Sequence, residues 1–297
     1  MPMTIRRAVV PAAGLGSRLL PLTKAMPKQM LPIGGRPVIE HTVRELVASG
    51  ITDITVVGAG RGKDLIRDHF RPDPALVARL RAEGKSAYAD AVQEIGELSR
   101  LGHITYLDQD GPYGNGTPVL NAANHHSVAE PMVVLWPDDV FVAEVPRTRQ
   151  LITAYEATGR PVLALMPMDP ADARHYGVPV VKDDLGGGLL HIAGLVEKPE
   201  PDDAPSAYAA VGGYVVTPGI IEELRAQTER WYQRRIGELS LTDAISAYAG
   251  SHTVYGQVLE GRWYDTGNPL AYLTAQFATA LSEPAYGPHL RRLALDR

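Results

Sequence analysis

Residues 12–32 read AAGLGSRLLPLTKAMPKQMLP and follow, after Pro11, the apolar run AVV at 8–10, which has the composition of a strand end. Two glycines, one arginine, two lysines and three prolines in one connection are more punctuation than a plain turn needs. The stretch reads as a strand emptying into a loop that handles a ligand. Outward from it, apolar runs of strand length alternate with helix-period segments: ITDITVVGAG, GKDLIRDHF, HITYLDQ, TPVLNAANHHSV and MVVLWPDDVF, then RQLITAYEATG and PVLALMPM. That rhythm predicts an α/β fold of stacked βαβ units around a largely parallel sheet. From about Tyr176 the pattern changes to short runs broken by Gly and Pro, YGVPVV, LLHIAGLVEKP and YAAVGGYVV. These predict antiparallel or mixed additions to the same sheet. Helix-period stretches GIIEELRAQ, LTDAISAYAG and PLAYLTAQFATAL complete the chain, and PEPDDAPSA reads as a surface loop.

Length and composition bound the function. A chain of 297 residues, 45% apolar and 21% charged, can bury a substantial core and is an ordinary soluble globular sequence. It has no cysteine, which excludes disulfides and thiolate metal sites and suits a reducing cytoplasm. The N-terminal MPMTIRRAVVPAAG breaks its apolar run at Pro11 and makes a poor signal peptide. No apolar run approaches the roughly 20 residues of a membrane span. The net charge of -5 argues against general nucleic-acid binding, so a small anionic ligand would need a local basic pocket.

The glycines narrow the ligand. Gly14 and Gly16 match the first half of a dinucleotide fingerprint, but the third glycine position holds Leu19. A Walker A loop would need Gly-Lys-Ser/Thr, and Gly16 is followed by Ser17 and Arg18. What remains is a glycine turn whose N–H groups can approach phosphate, with Arg18 bridging oxygens and Lys28 a point charge, or else a plain turn with solvated cations.

VPAAGLGSRLLPLTKAMPKQMLPI resembles the opening of the nucleotidyltransferases that join a nucleoside triphosphate to a sugar 1-phosphate, and within them the bacterial UTP-glucose-1-phosphate uridylyltransferases. The resemblance runs from about Arg6 to Ala280 and is weaker near Arg71 to Ser99; Ser17 stands where threonine is usual. It implies a three-layer Rossmann-like nucleotidyltransferase fold with a mixed, mostly parallel central sheet and additional small β elements. The implied domain spans 4–284, with a nucleotide-binding half at about 4–145, a sugar-phosphate half at about 146–284, and a C-terminal tail at 285–297. The implied nucleotide contacts are Ala13, Gly14, Gly16, Ser17, Gln109 and Gly114. WPDD at 136–139 resembles the family's metal-binding strand end, with the ligand on Asp138, and WYDTGNPLAYL resembles its second metal site, with Asp265. The alternatives are that Pro-Asp-Asp is turn chemistry and that Asp265 caps the helix after it. YGVPVV, VEKP and VGGYVV resemble the sugar side, implying Gly177, Glu197 and Gly212 at the sugar and Lys198 on its phosphate. Implied with these are Mg²⁺ as cofactor, a triphosphate and a sugar 1-phosphate as partners, a cytoplasmic location, and assembly as a homo-oligomer.

One stretch departs from the family. Where the uridylyltransferases have Arg-Gln and then Gly-Leu-Gly-His-Ala, YLDQDGPYGNGTPVLNAA keeps Gln109 and Gly114 but carries Asp108, Asn115, Thr117 and Pro118. GELSLTDAI at 237–245 resembles another family segment, with Ser240 in place of glutamine, and reads mainly as helix capping. The implied reaction is nucleotidyl transfer from UTP to glucose 1-phosphate, giving UDP-glucose and pyrophosphate. Its nucleophile is already ionised, so charge neutralisation by Arg18, Lys28, Lys198 and Mg²⁺ replaces a catalytic base. A thymidylyl- or cytidylyltransferase acting on another sugar-like phosphate, and a non-catalytic sugar-nucleotide-binding regulator, are the other readings.

Overall fold

The computed structural model describes residues 4–126 and 130–295. Strand β1 (Arg7–Pro11) turns Ala8 and Val10 into one core and Val9 into another, the alternation of a strand buried on both faces. The opening connection leads to a small hairpin, β2 (Pro32–Ile33) and β3 (Arg36–Pro37), and to helix α1 (Val38–Ala48). Next come β4 (Asp53–Gly58), α2 (Gly60–Phe70), α3 (Pro74–Ala82), α4 (Ser86–Leu101), β5 (Thr105–Asp108), α5 (Gly116–His126) and β6 (Met132–Leu135). The second half runs β7 (Asp139–Val142), α6 (Arg147–Thr158), β8 (Val162–Pro167), β9 (Gly177–Asp184), β10 (Leu189–Glu197) and β11 (Tyr208–Val216). It closes with α7 (Pro218–Arg234), α8 (Leu241–Ala249), β12 (Val254–Val258), β13 (Arg262–Asp265), α9 (Pro269–Ser282) and α10 (Gly287–Leu295).

Nine strands form one sheet in the order β5-β4-β1-β6-β11-β8-β12-β10-β9. The first four are parallel, with Val9 opposite Thr55 on one side and Val134 on the other. β11 then enters antiparallel between β6 and β8, β12 runs parallel to β8, and β10 and β9 add antiparallel pairs. The sheet is therefore mixed, with its parallel block in the N-terminal half and the antiparallel additions where the Gly- and Pro-broken runs begin.

Helices cover both faces, which gives three layers. On one face Ile39 and Val43 of α1, Ile66 and Phe70 of α2 and Leu151 of α6 pack on Ala8, Val10 and Ile54. On the other, Val119 of α5, Ile220 and Leu224 of α7 and Ile245 of α8 pack on Val9, Val57 and Val134. Parallel strands place their C-terminal ends on one edge, so the connections after β1, β5 and β6 emerge on that edge, those of β1 and β6 from neighbouring strands. A separate two-stranded ribbon pairs β7 with β13 and sets Asp139 opposite Asp265. Within the expected tail, 287–295 form α10, whose Arg291 guanidinium donates to the Leu281 carbonyl at 2.6 Å. The weakly matching stretch near 71–99 is α3 and most of α4, and α3 buries none of its side chains.

Candidate active site

The connection after β1 turns at Gly16, φ 66°, and Thr23 Oγ1 donates to the Gly16 carbonyl at 2.9 Å. Lys28 crosses over this turn: a Cβ at position 14 would lie 3.5 Å from Lys28 Cε, and one at 16 would lie 3.1 Å from Lys28 Cβ. Gly16 thus lets the lysine stem pass close to the backbone, while the approach at Gly14 is ordinary contact. Its ammonium donates to Asp138 Oδ2 at 2.5 Å. Gly16 and Ser17 line neither of the two cavities described below, and Arg18 lines one of them.

The β7–β13 ribbon explains how carboxylates far apart in sequence meet. Asp138 precedes β7 and Asp265 ends β13, and Thr266 ties the two by donating its N–H and hydroxyl to the Asp138 carbonyl at 2.8 and 2.7 Å. A Cβ at Gly267 would lie 2.9 Å from Asp138 Oδ2, 3.0 Å from Asp265 Oδ1 and 3.1 Å from an Arg18 nitrogen, so all three converge on one space. Arg18 Nη1 is 3.9 Å from Asp265 Oδ2. Burial raises the Asp265 carboxyl above its usual range, and the Asp138 charge adds to the effect. Asp265 is not the cap of α9: Asn268 is, accepting from the Ala271 N–H at 3.1 Å. Asp138 does lie in a turn, with the Asp139 N–H on the Trp136 carbonyl at 3.3 Å. Two carboxylate oxygens beside one space are donors of the type a hard divalent cation takes. Among the described residues no third His, Cys, Asp or Glu joins them as a ligand cluster, which leaves phosphate oxygens and water for the other positions, the usual Mg²⁺ arrangement.

Asp139 lines the same cavity as Asp138 and Asp265 and packs against position 212. A Cβ at Gly212 would overlap its carboxylate and come within 2.8 Å of Trp136 Cβ, so a side chain at position 212 would force one of them to move. Trp263 Nε1 donates to Asp139 Oδ1. Burial, then the charges of Asp138 and Asp265, push the Asp139 carboxyl up to about 7. Behind it, Arg147 is completely buried, donating to the Gly212 carbonyl at 2.9 Å and to Glu45 at 3.0 and 3.2 Å.

Two cavities adjoin at this edge. One, of about 480 Å³, is lined by Arg18, Asp138, Asp139 and Asp265 and by Gly177, Glu197, Lys198 and Gly212. Arg18, Arg174 and Lys198 bring positive charge to a lining that also carries four carboxylates, Asp138, Asp139, Glu197 and Asp265. The other, of about 310 Å³, is lined by Ala13, Gly14, Gln109, Gly114 and Pro118. They share Asn115, Trp136, Glu197 and Lys198. Lys198 holds a left-handed backbone, φ 49°, with its N–H on the Tyr176 carbonyl at 3.0 Å and its ammonium 3.3 Å from Glu197. An apolar cavity of about 720 Å³ between α3 and α4 contains none of these residues.

The altered loop after β5 is pinned by its own substitutions. Asp108 pairs with Lys63 of α2 at 2.5 Å, Asn115 Oδ1 accepts from the Leu241 N–H at 2.8 Å, and Thr117 Oγ1 donates to the Pro112 carbonyl. Gly116 N–H donates to the Leu239 carbonyl and Leu239 N–H to the Tyr113 carbonyl, both at 2.8 Å. Gly114, φ 141°, lies so close to the Leu239 backbone that a side chain there has no room. Ser240 caps α8 by accepting from the Asp243 N–H at 3.1 Å. Sequence reasoning did not single out Asp139, Trp263 or Arg147. For Asp139 a signal existed, since it stands directly after Asp138 in the run WPDD at 136–139.

Gly212→Ala is expected to raise KM for the substrate bound in the larger cavity and to destabilise the fold by about 1–3 kcal/mol, the usual scale of overpacking. Steady-state kinetics with thermal melts check this, and an unchanged KM would mean that Asp139 and Trp136 have room to shift.

A family profile described as nucleotidyl transferase matches residues 7–281. The UTP-glucose-1-phosphate uridylyltransferase YngB of Bacillus subtilis (strain 168) is 38% identical over 285 residues, which cover 96% of this chain and 92% of that protein. A UTP-bound UGPase from Acinetobacter baumannii superposes with a TM-score of 0.85 at 29% identity, covering 98% of this chain and 99% of that one. A UDP-glucose pyrophosphorylase complexed with UDP-glucose superposes with a TM-score of 0.78 at 27% identity, covering 92% and 98%. With the glycine loop, the facing carboxylates and the paired cavities, these matches establish that the chain belongs to the nucleotidyl transferase family.

Proposed function

We propose that this enzyme transfers a uridylyl group from UTP to glucose 1-phosphate, releasing pyrophosphate. The observation that carries the reading is the adjoining of two cavities, one with Gln109 and the glycine loop and one with Glu197, Lys198 and the carboxylate pair. The relatives' names supply UTP, glucose 1-phosphate and UDP-glucose as the substrates and product to test.

In this reading a sugar-phosphate oxygen attacks the α-phosphorus of UTP, the α–β bridging P–O bond breaks, and pyrophosphate leaves in line. The nucleophile is ionised at neutral pH, so no side chain need remove a proton. Catalysis is positioning and charge neutralisation. Gln109 and Gly114 hold the base, and the Gln109 amide can both donate to and accept from the uracil edge. Arg18 holds the leaving pyrophosphate and Lys28 the α-phosphate side. Lys198 binds the sugar phosphate, Glu197 accepts from sugar hydroxyls, and Gly177 and Gly212 leave room for the ring. Asp138 and Asp265 would hold Mg²⁺, which when bound supplies Lewis-acid charge neutralisation of phosphate oxygens. We place the reaction in the cytoplasm, in keeping with the absence of cysteine; among the described residues no helix is long and apolar enough to cross a membrane. The exposed Leu270, Leu273 and Phe277 on α9 support assembly as a homo-oligomer, which light scattering tests.

Pyrophosphate release measured across UTP, dTTP, CTP, ATP and GTP, with a panel of sugar 1-phosphates, tests the assignment. UTP with glucose 1-phosphate is expected to lead. The uracil edge that Gln109 reads is shared with thymine, which makes dTTP the second-best donor and thymidylyl transfer the competing reading. Gln109→Ala is expected to narrow discrimination against CTP by roughly 1–3 kcal/mol, the scale of an unpaired buried polar group. A clear lead for CTP or a purine would show that the loop reads a different base. Lys198→Ala is expected to raise KM for the sugar phosphate with little change in that for the triphosphate. Equal effects on both substrates would refute its placement.

A further inference from the structure

Asp138 Oδ2 has two claimants. It accepts from Lys28 Nζ at 2.5 Å, and it is also the oxygen that shares the space over Gly267 with Asp265 Oδ1. An ammonium and a divalent cation on one carboxylate oxygen repel each other strongly at that range. Lys28 is packed in this position, its side chain 17% exposed with the stem lying over Gly14 and Gly16. Beside it, Gln29 is 1% exposed and neither of its amide atoms has a hydrogen-bond partner. A sealed amide without partners marks a turn whose present conformation leaves bonding capacity unused. The ion pair thus seats the Lys28 ammonium on Asp138, beside a buried amide that makes no bond to hold the turn there.

We propose that Lys28 is a latch on the metal site: in the free protein its ammonium closes Asp138 to a divalent cation, and the triphosphate opens the site by drawing that ammonium onto phosphate. The inference rests on the assignment of Asp138 and Asp265 as metal-holding carboxylates. It makes metal and nucleotide binding mutually reinforcing, since whatever frees Asp138 for one favours the other by the same factor. A latch closed roughly nine-tenths of the time would weaken metal binding to the free protein about tenfold.

The test titrates Mn²⁺ into the whole protein and follows free Mn²⁺ by electron paramagnetic resonance, without nucleotide and with a UTP analogue carrying a methylene bridge between the α- and β-phosphorus. Lys28→Met is expected to bind Mn²⁺ about tenfold more tightly than the wild type without nucleotide, and to lose most of the enhancement that the analogue gives the wild type. Misfolding cannot produce that gain. Arg18→Met controls for charge alone, because Arg18 also lies near the pair, at 3.9 Å from Asp265. An equal gain in Arg18→Met, or no gain in Lys28→Met, overturns the latch. Asp138→Asn and Asp265→Asn separate the two assignments. If they weaken Mn²⁺ binding in the presence of the analogue while Lys28→Met changes nothing, the metal site stands and the latch fails. If they leave Mn²⁺ binding unchanged in every state, the metal site fails and the latch with it.

Discussion

Asp138→Asn and Asp265→Asn are each expected to lower kcat about 100-fold or more, the scale seen when a preorganised electrostatic group is removed from a reacting centre. The two oxygens face one space beside Gly267, and a triphosphate and a sugar phosphate carry too much negative charge to approach each other without a cation there. The loss should fall on turnover more than on folding. Asp265 is already an unfavourable anion, its carboxyl raised by burial and by Asp138, so Asp265→Asn removes a charge that the fold does not need. Its melting temperature in metal-free buffer should match or exceed the wild type. Asp138→Asn leaves the Lys28 ammonium without its anion and should cost some stability, though far less than it costs turnover. The double variant should be little worse than either single one, because one cation needs both carboxylates. Measurements of kcat at limiting and saturating Mg²⁺, beside melts of each variant, decide the matter. Normal turnover at limiting Mg²⁺ in either variant would reduce that carboxylate to a turn residue.

The parts of this site legible in the sequence are those that rest on local pattern. The βαβ rhythm is a matter of period, and period is fixed by backbone geometry, so the strand before the glycine loop and the helices on both faces could be read directly. The opening loop could be read because its glycines and cations lie within one connection. The antiparallel insertion of β11 between β6 and β8 follows from pairing between segments far apart, and only the change of rhythm near Tyr176 hinted at it. Asp265 had two local readings, cap or ligand, and the structure removes the first, because Asn268 three residues later caps α9. The altered loop was opaque for a similar reason. Asp108 and Asn115 look like lost recognition residues until their partners, Lys63 on α2 and the Leu241 N–H at the start of α8, are in view. Arg147 carried no sequence signal at all: a basic residue at the start of an amphipathic helix reads as solvated, yet it is sealed between Glu45 and the Gly212 carbonyl.

Asp139→Asn is expected to make the metal-free protein more stable at pH 8 and to leave it nearly unchanged at pH 4. The Asp139 carboxyl is pushed from 3.8 to about 7, first by burial and then by Asp138 and Asp265, while Arg147 and the Trp263 N–H offset only part of this. In the unfolded chain the same group ionises near its ordinary value. Between the two values the native state holds more protons than the unfolded state, so native stability falls as pH rises through that window. The favourable contribution of the neutral acid is complete below about 4 and lost above about 7. Asparagine stays neutral throughout and keeps an oxygen for the Trp263 N–H, so the variant escapes the loss. Asp139 lines the cavity, and water there screens the charge, so the difference at pH 8 is set at ~2 kcal/mol, roughly 3 °C in Tm for a chain of this size. Melts of both proteins from pH 4 to 8 in chelator should therefore diverge steadily with rising pH. Saturating Mg²⁺ adds a cation beside Asp138 and Asp265 and should shrink the gap by lowering the Asp139 value. A gap that stays constant across the range would show that Asp139 is ionised at every pH, and that its neighbours hold the charge far better than their arrangement allows.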